Sequence, residues 1–410
     1  MRVLGPSSRL AVGLVLALVL VMLAFALPDS SSVAEESQDS ASAGAIVSAS
    51  GGTAPEPAPA LDLKKLAPGE RPPQFVIITL DGGCETRSGV LADLLNRGDE
   101  VNGRFTFFLS GLCLLPDAQR MAYQPPGKSP GQSDLPFADA DMVETRLSTL
   151  ARMHRSGHEI GTHFLGHFCG ASGVATWNAT QWTSEIAQSR EFLDNWPKYN
   201  PQIDGAAPLP FDSSVFAGGR TPCLEGDRPA MFAAYAEAGL RYEASDPGAI
   251  AWPKREAKTG VWEFPLPALR LAGTEKWVLS MDYNFLANQN NAQTEAAPER
   301  CAEIEKQTYD SYMLALQATE GNSRAPLILG SHLNSWVCDA YINSFHQFIT
   351  DAHARYPDVQ FISLNDLADW LEIQDPVVLK ELQALPAERD YPNAEPEGLI
   401  QPEPAPDPES

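Results

Sequence analysis

Positive charge is scarce in this chain: 29 Lys and Arg stand against 53 Asp and Glu, a formal net charge of -24. That balance excludes sequence-independent binding to nucleic acid, which needs a basic surface. It also excludes an electrostatic grip on anionic lipid, while a neutral or cationic polymer is tolerated as a partner. None of the 6 cysteines is spaced as C-x-x-C, which argues against a cysteine zinc site. No G-x-G-x-x-G follows the first strand-like run, so a dinucleotide-binding fold is unsupported. There is no internal repeat. Histidine is also sparse, with 7 in the chain, so where the histidines fall is informative.

What is present is enough for a large core. Over 410 residues, 44% are hydrophobic, sufficient for one barrel-sized domain or two smaller ones. Arg2 and Arg9 precede an apolar run from Leu10 to Leu27 that ends in Ala24-Phe25-Ala26 and Pro28. Residues 1–27 read as a secretory signal; a run this long can also span a bilayer, so an uncleaved membrane anchor is the competing reading. Either way the remainder is secreted or tethered on the outer side of the cytoplasmic membrane. Cys84, Cys113, Cys169, Cys223, Cys301 and Cys338 are then expected in disulfides. Asn178-Ala179-Thr180 is a formal glycosylation sequon.

Residues 28–60 are rich in Ser, Ala, Glu, Gly and Pro without hydrophobic period, and read as a flexible linker. Residues 386–410 form an acidic, Pro-rich tail. Between them, 61–385 alternates strand-like and helix-like segments. Strands are expected at Phe75–Leu80, Arg104–Leu109, His158–Thr162, near Phe216, at Arg241–Tyr242, Val261–Phe264, Lys276–Met281, Pro326–Ser331 and Val359–Ser363. Helical patterns cover Gly89–Asn96, Asp139–Ser156, Thr183–Asn195, Pro298–Thr319, Ala340–Arg355 and Leu364–Glu372. Such alternation means an α/β fold with a parallel sheet covered by helices, and the number of units suits a barrel better than an open sheet.

In a parallel barrel, function gathers where strands end. Asp81 closes the first apolar strand, where partial desolvation favours a base role; a turn or helix-cap aspartate is the ordinary alternative. His163 and His167 follow the third strand in T-H-F-L-G-H. On a helical turn such an i, i+4 pair shares one face and can chelate a metal; two unrelated histidines near a turn is the alternative. Arg220, in G-G-R-T-P-C, follows glycines that allow close backbone approach and could pair with a buried carboxylate. His332 ends the late strand as a candidate general acid, or as a satisfied core histidine.

The order of these residues carries more than each alone. Asp81 at strand one, R-F-T-F-F at 104–108, G-H-E-I-G-T-H at 157–163 leading into H-x-x-x-H, G-R-T-P at 219–222 and His332 on the last long strand resemble the five-motif pattern of the polysaccharide deacetylases, carbohydrate esterase family four, and within it chitin deacetylase-like members. The resemblance runs from Phe75 to about Glu372 and implies the irregular (β/α) barrel of that family. It implies deacetylation of an N-acetylated polysaccharide such as chitin oligomers or peptidoglycan. Asp81 would be the base, held by Arg220. His163 and His167 would bind a divalent metal, usually zinc. The Cys223 N–H would stabilise the oxyanion, His332 would protonate the leaving amine, and Asp282 would orient that histidine.

The first motif departs from the family. The family reads T-F-D-D-G, with the second aspartate a metal ligand; here it is Thr79-Leu80-Asp81-Gly82-Gly83. R-x-P-Y likewise reads R-x-P-C. The third ligand is then open between Asp81, water and Glu85, the next carboxylate along the same loop. A non-catalytic carbohydrate-binding barrel that has lost its metal, and an O-deacetylase, are the alternatives. Because barrel closure would make the first and last long strands neighbours, a Cys84–Cys338 disulfide is expected at the mouth.

Overall fold

The computed structural model describes residues 61–203, 205–332, 334–389 and 391. The expected signal or anchor (1–27), the linker (28–60) and most of the acidic tail lie outside the described residues. No described helix is long and apolar enough to cross a membrane.

In chain order the elements are β1 Gln74–Gly82, α1 Val90–Glu100, β2 Thr106–Leu109, α2 Val143–Arg155, β3 Glu159–Thr162, α3 Ala179–Asp194, α4 Trp196–Tyr199, β4 Gly218–Gly219, α5 Arg228–Ala238 and β5 Tyr242–Glu243. Then come β6 Pro247–Gly248, β7 Lys254–Arg255, β8 Trp262–Glu263, β9 Leu266–Arg270, β10 Trp277–Leu279, α6 Asp282–Asn290, α7 Pro298–Gly321, β11 Leu327–His332, α8 Ala340–Arg355, β12 Val359–Phe361, α9 Leu364–Ile373 and α10 Pro376–Gln383.

The fold is α/β, an irregular (β/α) barrel. Its main sheet runs β11-β1-β2-β3-β4-β5-β8-β7, with β12 also on β1. Every pairing in it is parallel except β7–β8. β1 is its axis. From Gln74 to Asp81 each of its residues is buried, as expected of a strand covered on both faces. One edge takes β11; the other takes β12 at Gln74–Val76 and β2 at Thr79–Gly82. Among the described residues the two ends of the sheet do not pair with each other. The gap is bridged by β10-β9-β6: Gly330 N–H donates to Ser280 O, and Met281 forms a lone bridge with Gly330. That indirect closure is what makes the barrel irregular.

Four of the described α-helices begin on side-chain caps. Asn178 caps α3 in a capping box with Gln181, so the sequon asparagine has a structural task. Asp227 caps α5, and Gly239 closes it in a left-handed conformation. The folded unit extends past the expected limit at Leu385. Glu388 N–H donates to Ile250 O, its carboxylate accepts from Ser323 N–H, and the buried Tyr391 hydroxyl accepts from Arg270 N–H.

Candidate active site

The parallel register between β1 and β11 sets Asp81 opposite His332. Two of the chemistry-bearing residues therefore stand side by side at strand C-termini, as the barrel argument requires.

Asp81 is 4% exposed. Its Oδ1 accepts from Arg220 Nη1 at 2.9 Å, and the same Nη1 donates to Thr79 Oγ1 at 2.8 Å. Arg220 Nε donates to Ala244 O at 2.8 Å, which fixes the plane of the guanidinium. Arg220 N–H donates to Thr162 O, so the arginine is anchored at backbone and side chain. Burial pushes the Asp81 carboxyl up, but Arg220, with His163 and His332, outweighs burial and holds it below the usual carboxylate range. Asp81 is thus a buried, ionised carboxylate.

His332 is its counterpart. Its Nδ1 pairs with Asp282 Oδ1 at 2.7 Å, its backbone N–H donates to Asp282 Oδ2 at 2.8 Å, and its side chain is 30% exposed. Asp282 is buried at the start of α6. Burial lowers the His332 pKa, yet the charge and hydrogen bond of Asp282, helped by Asp81, carry it up to about 9. With Nδ1 held by Asp282, Nε2 is the ring nitrogen that remains available.

His163 and His167 lie close, with ring centroids 5.3 Å apart. The expectation of a helical turn is corrected: they sit on an irregular loop after β3, with left-handed φ at Phe164 (60°) and His167 (55°). The loop is held by non-helical bonds instead. His163 N–H donates to Leu109 O, Phe164 N–H to Thr162 Oγ1, and Gly166 N–H to the Tyr123 hydroxyl. The Tyr123 hydroxyl donates in turn to Glu185 Oε1 at 2.7 Å. Tyr123 and Glu185 escaped the sequence reading because a lone Tyr and a mid-helix Glu carry no pattern. A glutamate in the buried stripe of α3 was the available signal.

These imidazoles have properties a metal ligand needs. His163 Nδ1 pairs with Arg220 O at 2.9 Å, which points the ring and leaves Nε2 as the donor. Burial pushes His163 down to about 4 against the pull of Asp81, so it is neutral. Burial also lowers His167. The third ligand is less well provided. Gly82 has φ 92° with open space where a Cβ would stand, and Gly83 has φ 52° with Phe108 O 3.0 Å from that point. Glu85 is turned away: its carboxylate accepts from Thr86 N–H and, at the start of α1, from Ala92 N–H.

The expected Cys84–Cys338 disulfide is corrected. The bonds are Cys84–Cys113, Cys169–Cys223 and Cys301–Cys338. Strand adjacency misled, because Cys338 lies six residues past His332 in the turn before α8, against α7, while the loop after β1 leads toward the end of β2. Cys169–Cys223 joins the loop after β3 to the turn after Arg220, and each sulfur is 3.8 Å from His167 Nδ1. That turn has left-handed φ at Cys223 and Leu224.

No family model matches the chain, and no curated protein matches it. Among solved structures it is similar to a protein of Mycobacterium smegmatis assigned as a polysaccharide deacetylase, at 14% identity over 81% of this chain and 99% of that one, TM-score 0.46. It is similar to a family 4 acetyl xylan esterase of Clostridium thermocellum solved with cobalt, at 16% identity over 74% of this chain and 96% of that one, TM-score 0.36. A CE4 family pseudoenzyme of Bacillus anthracis is also similar, at 9% identity over 73% of this chain and 66% of that one, TM-score 0.37. What the site does rests on its own residues.

Proposed function

We propose that this chain is a metal-assisted polysaccharide deacetylase of carbohydrate esterase family four, acting outside the cytoplasm on an N-acetylated glycan. The observation that carries the reading is a pair of proton-transfer groups side by side at the ends of β1 and β11, with acidities driven in opposite directions. Environments that push two neighbouring groups apart in this way assign a base and an acid.

Asp81, fixed by Arg220, accepts a proton from the water that attacks the acetyl carbonyl carbon. His332, charged at neutral pH and oriented by Asp282, gives its proton to the departing sugar nitrogen. Arg220 is a positioning residue, since it acts on Asp81. His163 and His167 would hold a divalent cation through ring nitrogens, with Asp81 the nearest anionic group. Such a cation polarises the acetyl carbonyl and acidifies water when bound. Zinc suits imidazole donors. Export is supported by the apolar N-terminal run and by three disulfides, which persist in oxidising surroundings.

Gly82 favours a second reading, a carbohydrate-binding barrel without turnover, because it removes a ligand. Acetate release from a panel of N- and O-acetylated glycans, run beside metal analysis of the purified protein, separates the two. Release from N-acetylated substrates supports the deacetylase, and release from esters alone makes the chain an O-deacetylase. Glycan binding with no release on either class overturns both enzyme readings.

A further inference from the structure

The Cys169–Cys223 disulfide lies where two departures meet: Gly82 leaves the histidine pair short of an anionic ligand, and Cys223 stands in the turn after Arg220. We propose that, once reduced, Cys169 and Cys223 join His167 as a redox-gated site for a thiophilic divalent cation at the barrel mouth.

Three observations carry this. First, His167 Nδ1, Cys169 Sγ and Cys223 Sγ lie within 4.8 Å of one another. A Cys2His donor set leaving an open position is a composition that zinc and cobalt accept. Second, hydrogen bonds join the two loops besides the disulfide. Gly170 N–H donates to Glu225 Oε2 at 2.6 Å, Arg220 N–H to Thr162 O, and His163 Nδ1 pairs with Arg220 O. Opening the bond therefore leaves the sulfurs near His167. Third, this is the one disulfide with both cysteines exposed; Cys113 and Cys301 are buried in the other two. Exposure to reductant is what makes a disulfide labile.

The reductant is a dithiol. Its thiolate attacks one sulfur, the Sγ–Sγ bond breaks, and the reductant leaves as its own disulfide. Two electrons and two protons pass to the chain, leaving two thiols. Each thiol releases its proton as its sulfur bonds the cation. The oxidised form thus offers His167 to the site beside Asp81, and the reduced form draws it to the sulfurs. The proposal rests on the deacetylase reading only in that sharing of His167, and its readout does not involve acetate.

The test is stepwise reduction of the full chain with a dithiol, followed by Co(II) titration. Thiol counting with mass-spectrometric mapping should find Cys169 and Cys223 as the first two thiols. Co(II) should then give thiolate-to-metal charge-transfer absorption absent from the oxidised protein. The band should be lost in Cys169→Ser/Cys223→Ser, and also when the first two thiols are alkylated before cobalt is added, which covers misfolding of the variant. First thiols mapping elsewhere, no new band on reduction, or a band surviving alkylation would each overturn the proposal. Failure of acetate release with the band present would count against the proposed function alone.

Discussion

The two halves of the candidate site are built differently. Asp81, Arg220, His332 and Asp282 stand at the ends of paired strands or the start of a half-buried helix, and each carboxylate is matched by a specific donor. The histidine half sits on a loop and a turn with left-handed residues, stapled by a disulfide, with a glycine where the resemblance leads one to expect a carboxylate. Strand-borne groups are fixed by the register of the whole sheet, whereas loop-borne groups depend on a few local bonds. Variation is cheaper on the second side, and Cys223 falls there; Gly82 is the exception, the last residue of β1 and paired with Leu109.

Arg220→Ala should break the strand-borne half most severely. It leaves Asp81 buried without its cation, and breaking such a pair costs about 3–5 kcal/mol. Chemical denaturation should register that loss, and acetate release should vanish with it. If stability hardly changes, the strand-borne half is not the rigid partner in this comparison.

Asp282→Asn comes next and tests the acid. His332 has a raised pKa, so it is protonated below about 9 and loses its proton above that. The rate of acetate release should therefore fall as pH rises through about 9. Stability from the His332–Asp282 pair follows the same sign: full below the ordinary histidine value, lost as pH climbs through about 9. Asp282→Asn should move the alkaline limb to lower pH and reduce the rate, general acid catalysis being worth about 10²–10⁴-fold.

How much of this was legible follows the same division. β1, β2 and β11 announced themselves as largely apolar runs, and with β1 and β11 the positions of Asp81 and His332. β4, β5 and β8 are two residues long; strands were expected near Phe216, at Arg241–Tyr242 and at Val261–Phe264, but their brevity and order in the sheet are set by their neighbours. α5 escaped although Asp227, Pro229 and Gly239 bracket it, because its alanine-rich face carries little amphipathic contrast. α6 escaped because it starts at once after β10. The histidine spacing was visible but its conformation was not: four residues apart suits a helix, and only the bonds of Gly166 and His163 to distant partners impose the loop. The disulfide pairing was beyond reach because it depends on loop paths, which no strand pattern contains.

Gly82→Asp sharpens the comparison from the other side. There is open space for the side chain, but φ 92° strains any residue with a Cβ, at about 1–3 kcal/mol. Calorimetric zinc titration should find tighter binding, with lower thermal stability as the cost. Unchanged affinity in a folded variant would mean that the third ligand comes from elsewhere. Glu185, which burial pushes up to about 8, tests the support that Tyr123 lends to the histidine loop. A carboxyl raised in the folded state stabilises below its unfolded value and loses that contribution as pH rises. Stability should thus decline between about pH 4.5 and 8, and Glu185→Gln should flatten that decline in denaturation curves taken across the range.

The most direct test of the central claim is the pH–rate profile of acetate release from N-acetylglucosamine oligomers by the zinc-supplemented oxidised protein, with Asp81→Asn measured alongside. The account expects release by the native chain at neutral pH, falling as pH passes about 9, and none above background from Asp81→Asn. Equal release from both proteins, or none from the native chain while zinc is bound, would contradict it.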